Sequence, residues 1–144
     1  MGQDTLDKAI KIGCLPQKES RSAAQKIYSA IPTSDRSSHM YIYGADQEAI
    51  NALAQENPKW DEKLIPHLEF KKAEVVWAAR NELARTVEDV LSRRVRMLFL
   101  DAKAAIEAAP EVAKILAQEL NKDEDWQNDQ IVHFQNVAKN YILK

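Results

Sequence analysis

Residues 85–103 read RTVEDVLSRRVRMLFLDAK, a dense run of charge leading into an apolar stretch. Glu82, Glu88 and Asp89 alternate with Arg85, Arg93, Arg94 and Arg96. Arginines grouped this way do one of two things. They dock an anion, such as a carboxylate, a phosphate or the acidic face of another domain, or they tie helices together through ion pairs. On a helix, Asp89 stands four residues before Arg93, the favourable acid-first order, whereas Glu88 meets only Ser92 at that spacing. Arg94 falls near the edge of an apolar stripe. An arginine there needs a partner, because stranding a buried charge costs about 3–5 kcal/mol. The internal tie is the favoured reading, with the docking patch kept beside it. Thr86 has the character of an N-cap, and Thr-x-x-Asp to Asp89 approximates a capping box, in which Glu or Gln is more usual. Thr86, Asp89, Arg93 and Arg94 are therefore the candidate site residues, as a structural or inter-domain network.

Other chemistries find little support. His39, His67 and His133 lie far apart, with no His-x-x-x-His or Glu-x-x-His pair, so no metal site is expected. His133, on an apolar stripe, reads as a core or half-buried histidine. Cys14 is the single cysteine, has no local base and cannot form an internal disulfide. It fits a reducing compartment. There is no Gly-x-Ser-x-Gly elbow, so no nucleophile is assigned. The chain has 3 glycines, widely separated, and supplies neither a Gly-x-Gly-x-x-Gly turn nor a Gly-Lys-Ser/Thr loop. No catalytic residue and no cofactor site is therefore expected in this chain.

The elements that must position the charged run are helical. Glycine (3) and proline (5) are too few for an all-β chain of 144 residues, and Ala, Leu, Glu, Lys and Gln favour helix. Residues 1–38 are polar and Ser-rich, with one short helix marked by Leu6, Ala9 and Ile10. They read as a linker or the end of an upstream domain. HMYIYG reads as a short extended segment. ADQEAINALAQENP reads as a helix stopped at Pro58, and AEVVWAARNELA as another, apolar on two faces. A central helix is expected near residues 87–108. Leu91, Val95, Leu98, Phe99, Ala102 and Ile106 form one stripe, with Met97, Leu100 and Ala104 opposite. Pro110 then suits the first turn of the next helix, with Val112, Ile115, Leu116 and Leu120 buried. Asp123 can cap a last helix carrying Trp126, Phe134, Val137 and Tyr141. The expected fold is all-α, a compact bundle of about five helices over residues 39–144 after a poorly regular N-terminal segment.

Bulk properties narrow the partners. The net charge of -2 and pI near 5.9 lack the basic excess of a duplex-binding protein, so no nucleic acid is expected. No apolar run approaches the roughly 20 residues of a membrane span, and no signal-peptide core opens the chain. The aromatics fall mostly at helical spacing and read as core.

One longer pattern stands out. Ala73-Glu74-Val75, then Glu82 and Ala84, then Thr86, Asp89, Leu91, Arg93 and Arg94 resemble the C-terminal helical domain of FAD-dependent glycerol-3-phosphate dehydrogenases. His39-x-x-x-Tyr43-Gly44 before a helix is also similar to that family, and the resemblance covers about residues 39–142. It implies a parent enzyme that oxidises glycerol 3-phosphate to dihydroxyacetone phosphate through FAD held in a separate N-terminal domain. It implies that this chain is a non-catalytic accessory domain whose partner is that flavin domain, with homo-oligomerisation open. It also implies a cytoplasmic location, or a peripheral one at the inner face of the membrane. The alternative is a free-standing helical interaction module, dimerising through the 45–70 region.

Overall fold

The computed structural model describes residues 2–31 and 36–142, and these fall into two units that divide between Ala30 and Ile31. In the first, helix α1 (Gly2–Ile12) buries none of its residues, and a run of turns follows it. Cys14 beyond it is exposed and adopts a left-handed backbone, φ 48°.

The second unit is all-α among its described residues. Its α-helices are α2 (Gln47–Glu56), α3 (Lys72–Asn81), the single turn α4 (Met97–Leu100), α5 (Ala102–Leu120) and α6 (Glu124–Ala138). HMYIYG is not extended. Residues His39–Asp46 coil as 3-10 turns, with Ser38 Oγ accepting from the Met40 amide at 3.2 Å. Gly44 closes them at φ 56°, ψ -126°, a backbone open essentially only to glycine, and so turns the chain into α2. Between α2 and α3 the chain doubles back. The Leu64 amide donates to the Phe70 carbonyl at 2.8 Å, and Pro66 sits in the turn closed by Leu68 N–H to Ile65 C=O at 3.1 Å. This loop inserts Leu64, Ile65 and Phe70 into the core.

The central element is α5, not the expected helix over 87–108. That stretch is broken twice. Residues Asp89–Arg94 form a π-turn, and Arg96 then adopts a left-handed backbone at φ 57°, ψ 21°. After α4, Asp101 starts afresh as N-cap of α5, its side chain accepting from the Ala104 amide at 2.9 Å. The stripe extrapolated through the break therefore fails at its middle, and Phe99 and Leu100 are 56% and 71% exposed.

α5 packs against α3, α4 and α6. Its inner surface is built largely from Ala102, Ala104, Ala105, Ala108, Ala109, Ala113 and Ala117, with Val112 and Leu116 between them. Small side chains allow close approach by neighbours that supply bulk, namely Val75 and Val76 of α3, Met97 of α4 and Phe134 of α6. Asn121 ends α5 in the left-handed region at φ 53°, and the Asp123 side chain caps α6 by accepting from the Trp126 amide at 2.9 Å.

Pro110 lies inside α5, not in the first turn of a separate helix. Its ring is exposed, and its missing N–H leaves the Ile106 carbonyl without an intrahelical donor. Proline in a helix interior costs about 3 kcal/mol against alanine, partly offset by the stiffer unfolded chain. Pro110→Ala is expected to raise the free energy of unfolding by about 1–2 kcal/mol in urea titrations, since no buried contact is lost.

Candidate functional site

Thr86 and Asp89 close the loop that leads from α3 into the π-turn. Thr86 Oγ1 accepts from the Asp89 amide at 3.0 Å, and Asp89 Oδ2 accepts from the amides of Thr86 and Arg85, each at 3.0 Å. Burial would raise the Asp89 carboxyl. The two amides, the Thr86 hydroxyl and the Arg93 guanidinium outweigh it and hold the group below its ordinary value.

Arg93 bridges two carboxylates, Asp89 Oδ1 at 3.0 Å and Glu88 Oε1 at 2.7 Å. The second contact is possible because of the π-turn. A wider turn brings residue i+5 over residue i, so Glu88 reaches Arg93 although Ser92 stands four residues on. Glu88 also lies 3.6 Å from His133 Nε2 of α6. His133 is not in the core: its side chain is 66% exposed, because the outer face of α6 carries it to the rim beside Glu88. The Val87 amide donates to Gln130 Oε1 at 3.2 Å, a second link to α6.

Arg94 turns the opposite way, to the end of α3. Its Nη2 donates to the Glu82 carbonyl, and its Nε lies 3.1 Å from Glu82 Oε2. Both side chains are about seven-tenths buried, so the pair is a clamp on the C-cap of α3. Burial raises the Glu82 carboxyl, while the Arg94 charge and the Trp77 indole pull it down. Arg85 reinforces the same helix end by donating to the carbonyls of Ala79 and Ala84 at 2.9 and 3.1 Å. Leu83 there takes the left-handed position at φ 58° that glycine usually fills. The charged run is thus spent on the end of α3 through Arg85 and Arg94, on itself through Arg93, and on α6 through Glu88. Arg96 differs, being exposed, with its guanidinium pairing with none of the described residues.

A second polar cluster was not singled out from the sequence. Glu74 is 1% exposed. The Tyr43 hydroxyl donates to its Oε2 at 2.8 Å, and His39 Nε2 and the Lys71 amide meet its Oε1 at 2.9 and 2.7 Å. Burial, then the Glu74 carboxylate, pushes the Tyr43 phenol far above its ordinary range. His39, Tyr43 and Glu74 each lie in a short run that carries the family resemblance, but they are 35 and 31 residues from one another across the pairs. The cluster anchors the 3-10 turns to the first turn of α3. Gly2, Gly13 and Gly44 are the chain's glycines, and none belongs to a phosphate-cradling loop. Among the described residues no group of His, Cys, Asp and Glu is arranged to hold a metal ion, and no helix is long and apolar enough to cross a membrane.

Two outcomes test this network. Arg94→Ala should destabilise by about 2 kcal/mol, and exposed Lys103→Ala by well under about 0.5, because only the first leaves a half-buried carboxylate and a helix-end carbonyl unpaired. Paired urea melts measure the difference. For Asp89, the folded-state value is depressed, so its contribution is present above 3.8, its ordinary value, and is lost as pH falls through the folded value. Asp89→Ala should cost about 1–2 kcal/mol near neutrality, with the gap narrowing on acidification, read by denaturation at both pH values.

A family model described as the C-terminal domain of alpha-glycerophosphate oxidase matches residues 12–127. A probable mitochondrial glycerol-3-phosphate dehydrogenase of Dictyostelium discoideum is 30% identical over 104 residues, covering 72% of this chain and 16% of that protein. The mitochondrial glycerol-3-phosphate dehydrogenase of Rattus norvegicus is 29% identical over 147 residues, 86% of this chain and 20% of its own length. The SDP6 glycerol-3-phosphate dehydrogenase of Arabidopsis thaliana is 33% identical over 91 residues, 63% and 14%. The chain thus spans a fifth or less of these relatives, and no solved structure shows a significant match. With most of its length under one family model, the chain belongs to the family of alpha-glycerophosphate oxidase C-terminal domains.

Proposed function

We propose that this chain serves as the non-catalytic C-terminal accessory domain of an FAD-dependent glycerol-3-phosphate dehydrogenase. In that reading the parent oxidises glycerol 3-phosphate to dihydroxyacetone phosphate on a flavin domain elsewhere in the same polypeptide. This domain packs against the flavin domain and supports its architecture. The observation that carries the proposal is the match of residues 12–127 to a C-terminal domain, combined with relatives named glycerol-3-phosphate dehydrogenases of which the chain covers a small share. The site geometry is consistent with it. Arg93 and Arg94 face carboxylates of this chain, and its three glycines supply no phosphate-cradling loop. Thr86, Asp89, Arg93 and Arg94 are proposed as the network that keeps the domain rigid while it is docked. The proposed location follows the parent enzyme, cytoplasmic or peripheral at the inner face of a membrane.

Titrating FAD and then glycerol 3-phosphate into this chain, with flavin absorbance as the readout, tests the division of labour. No saturable binding and no bleaching of the oxidised flavin band are expected. Saturable binding followed by reduction would overturn the accessory role.

A further inference from the structure

We propose that the face formed by Tyr41, Ile42, Phe99 and Leu100, with Arg96 at its rim, is the surface that receives the rest of the parent polypeptide. This rests on the accessory-domain reading and adds the place and the chemistry of the contact.

Tyr41, Ile42, Phe99 and Leu100 are all exposed, and together with Phe70, Val95, His39 and Arg96 they line an apolar groove of about 330 Å³. Scattered exposed apolar residues need no explanation, but large ones gathered round one groove mark an interaction site. The face is also held in shape. Phe99 meets Tyr141 edge-on with ring centres 5.5 Å apart, and the Arg36 guanidinium lies 5.5 Å from the Tyr41 ring centre.

Its outward direction is imposed by the backbone. Arg96 adopts φ 57°, a left-handed conformation unfavourable for a non-glycine residue, and so turns α4 to carry Phe99 and Leu100 out while Met97 and Leu98 stay buried. Two large apolar side chains are thus presented to solvent across a strained link.

The choice of occupant follows from where the chain runs. Residues 36–42 lead into this unit, and Tyr41 and Ile42 are themselves part of the face. Polypeptide on the N-terminal side is therefore tethered beside the groove, which raises its effective concentration there above that of any free partner. The relatives devote four-fifths or more of their length to sequence outside this match. Arg96, exposed and unpaired among the described residues, calls for a carboxylate on the incoming surface. The expected partner surface is apolar with an acidic group at its edge.

Cysteine protection tests this in the full-length polypeptide encoded by the reading frame that contains this chain. Cys14→Ser removes the exposed thiol of this chain, and labelling is read at each introduced cysteine by peptide mass spectrometry. Leu100→Cys and, independently, Ile42→Cys then report on the face, and Val132→Cys on α6 serves as an exposed control. Each is labelled with a small maleimide in the full-length protein and in the 144-residue chain. The expected result is labelling at least about tenfold slower in the full-length protein at both face positions, as a docked population above about nine-tenths requires, with no change at Val132→Cys. Adding Arg96→Glu should restore part of the lost rate. Equal rates in the two contexts, in a full-length protein whose flavin is reduced by glycerol 3-phosphate, would overturn the docking face and leave the accessory role standing. A full-length protein that binds no flavin would overturn both. Concentration-dependent protection in the 144-residue chain alone would assign the face to a second copy and overturn the proposal.

Discussion

A carboxylate taken out of water must be met by donors, and Glu74 sets that condition at the root of this domain. Its burial would be costly unless each oxygen found partners, and the partners come from separate parts of the chain: His39 and Tyr43 from the entering turns and the Lys71 amide from the start of α3. The same bonds fix the direction in which the chain enters. Once the entry is fixed, Gly44 can turn it into α2, and Ile50 and Ala54 can close over Ala73. The charge network at the far end of α3 has a similar logic. Arg94 and Arg85 take up the carbonyls that the helix end leaves over, so α3 is secured at both ends by polar contacts and along its sides by Val75, Val76, Ala78 and Ala79.

Much of the fold is legible in the sequence because it is local. Low glycine and proline and abundant helix formers imply an all-α chain, and the start of α6 lies at a capping aspartate, Asp123, followed by a helix-forming run. Thr86 and Asp89 stand three residues apart, so their mutual hydrogen bonds need no knowledge of the tertiary structure. What escapes is what depends on distance or on a change of period. A 3.6-residue stripe cannot register a π-turn, so Glu88 lacks a visible partner and Phe99 is placed on the inner side when it is outside. In the sequence Glu74 looks like any surface glutamate, because its donors are brought in by the fold. His133 sits among apolar residues in the sequence, yet tertiary packing turns it to solvent beside Glu88.

The arginines illustrate how one charged run divides its labour. Arg85 and Arg94 are consumed by the end of α3, Arg93 by two neighbouring carboxylates, and Arg96 alone among them is left facing out on a strained backbone. The change of direction between Arg94 and Arg96 separates the interior ties from the outward face. The π-turn and the left-handed residue are therefore linked in effect: the first brings Arg93 over Glu88 at the surface, and the second ends that run of internal pairing.

The alanine surface of α5 has a consequence of its own. An alanine has no rotamer to change, so the stretch of α5 from Ala102 to Ala109 offers its neighbours few soft parts, and Val112, Ile115 and Leu116 supply what adjustment there is further along. Added volume at Ala105 or Ala109 could be taken up only by sliding whole helices, and the seam would transmit that displacement to α3 and α6 together. Sequence drift along this helix should consequently be tolerated on the water-facing positions and resisted on the inner ones, even toward residues as mild as valine.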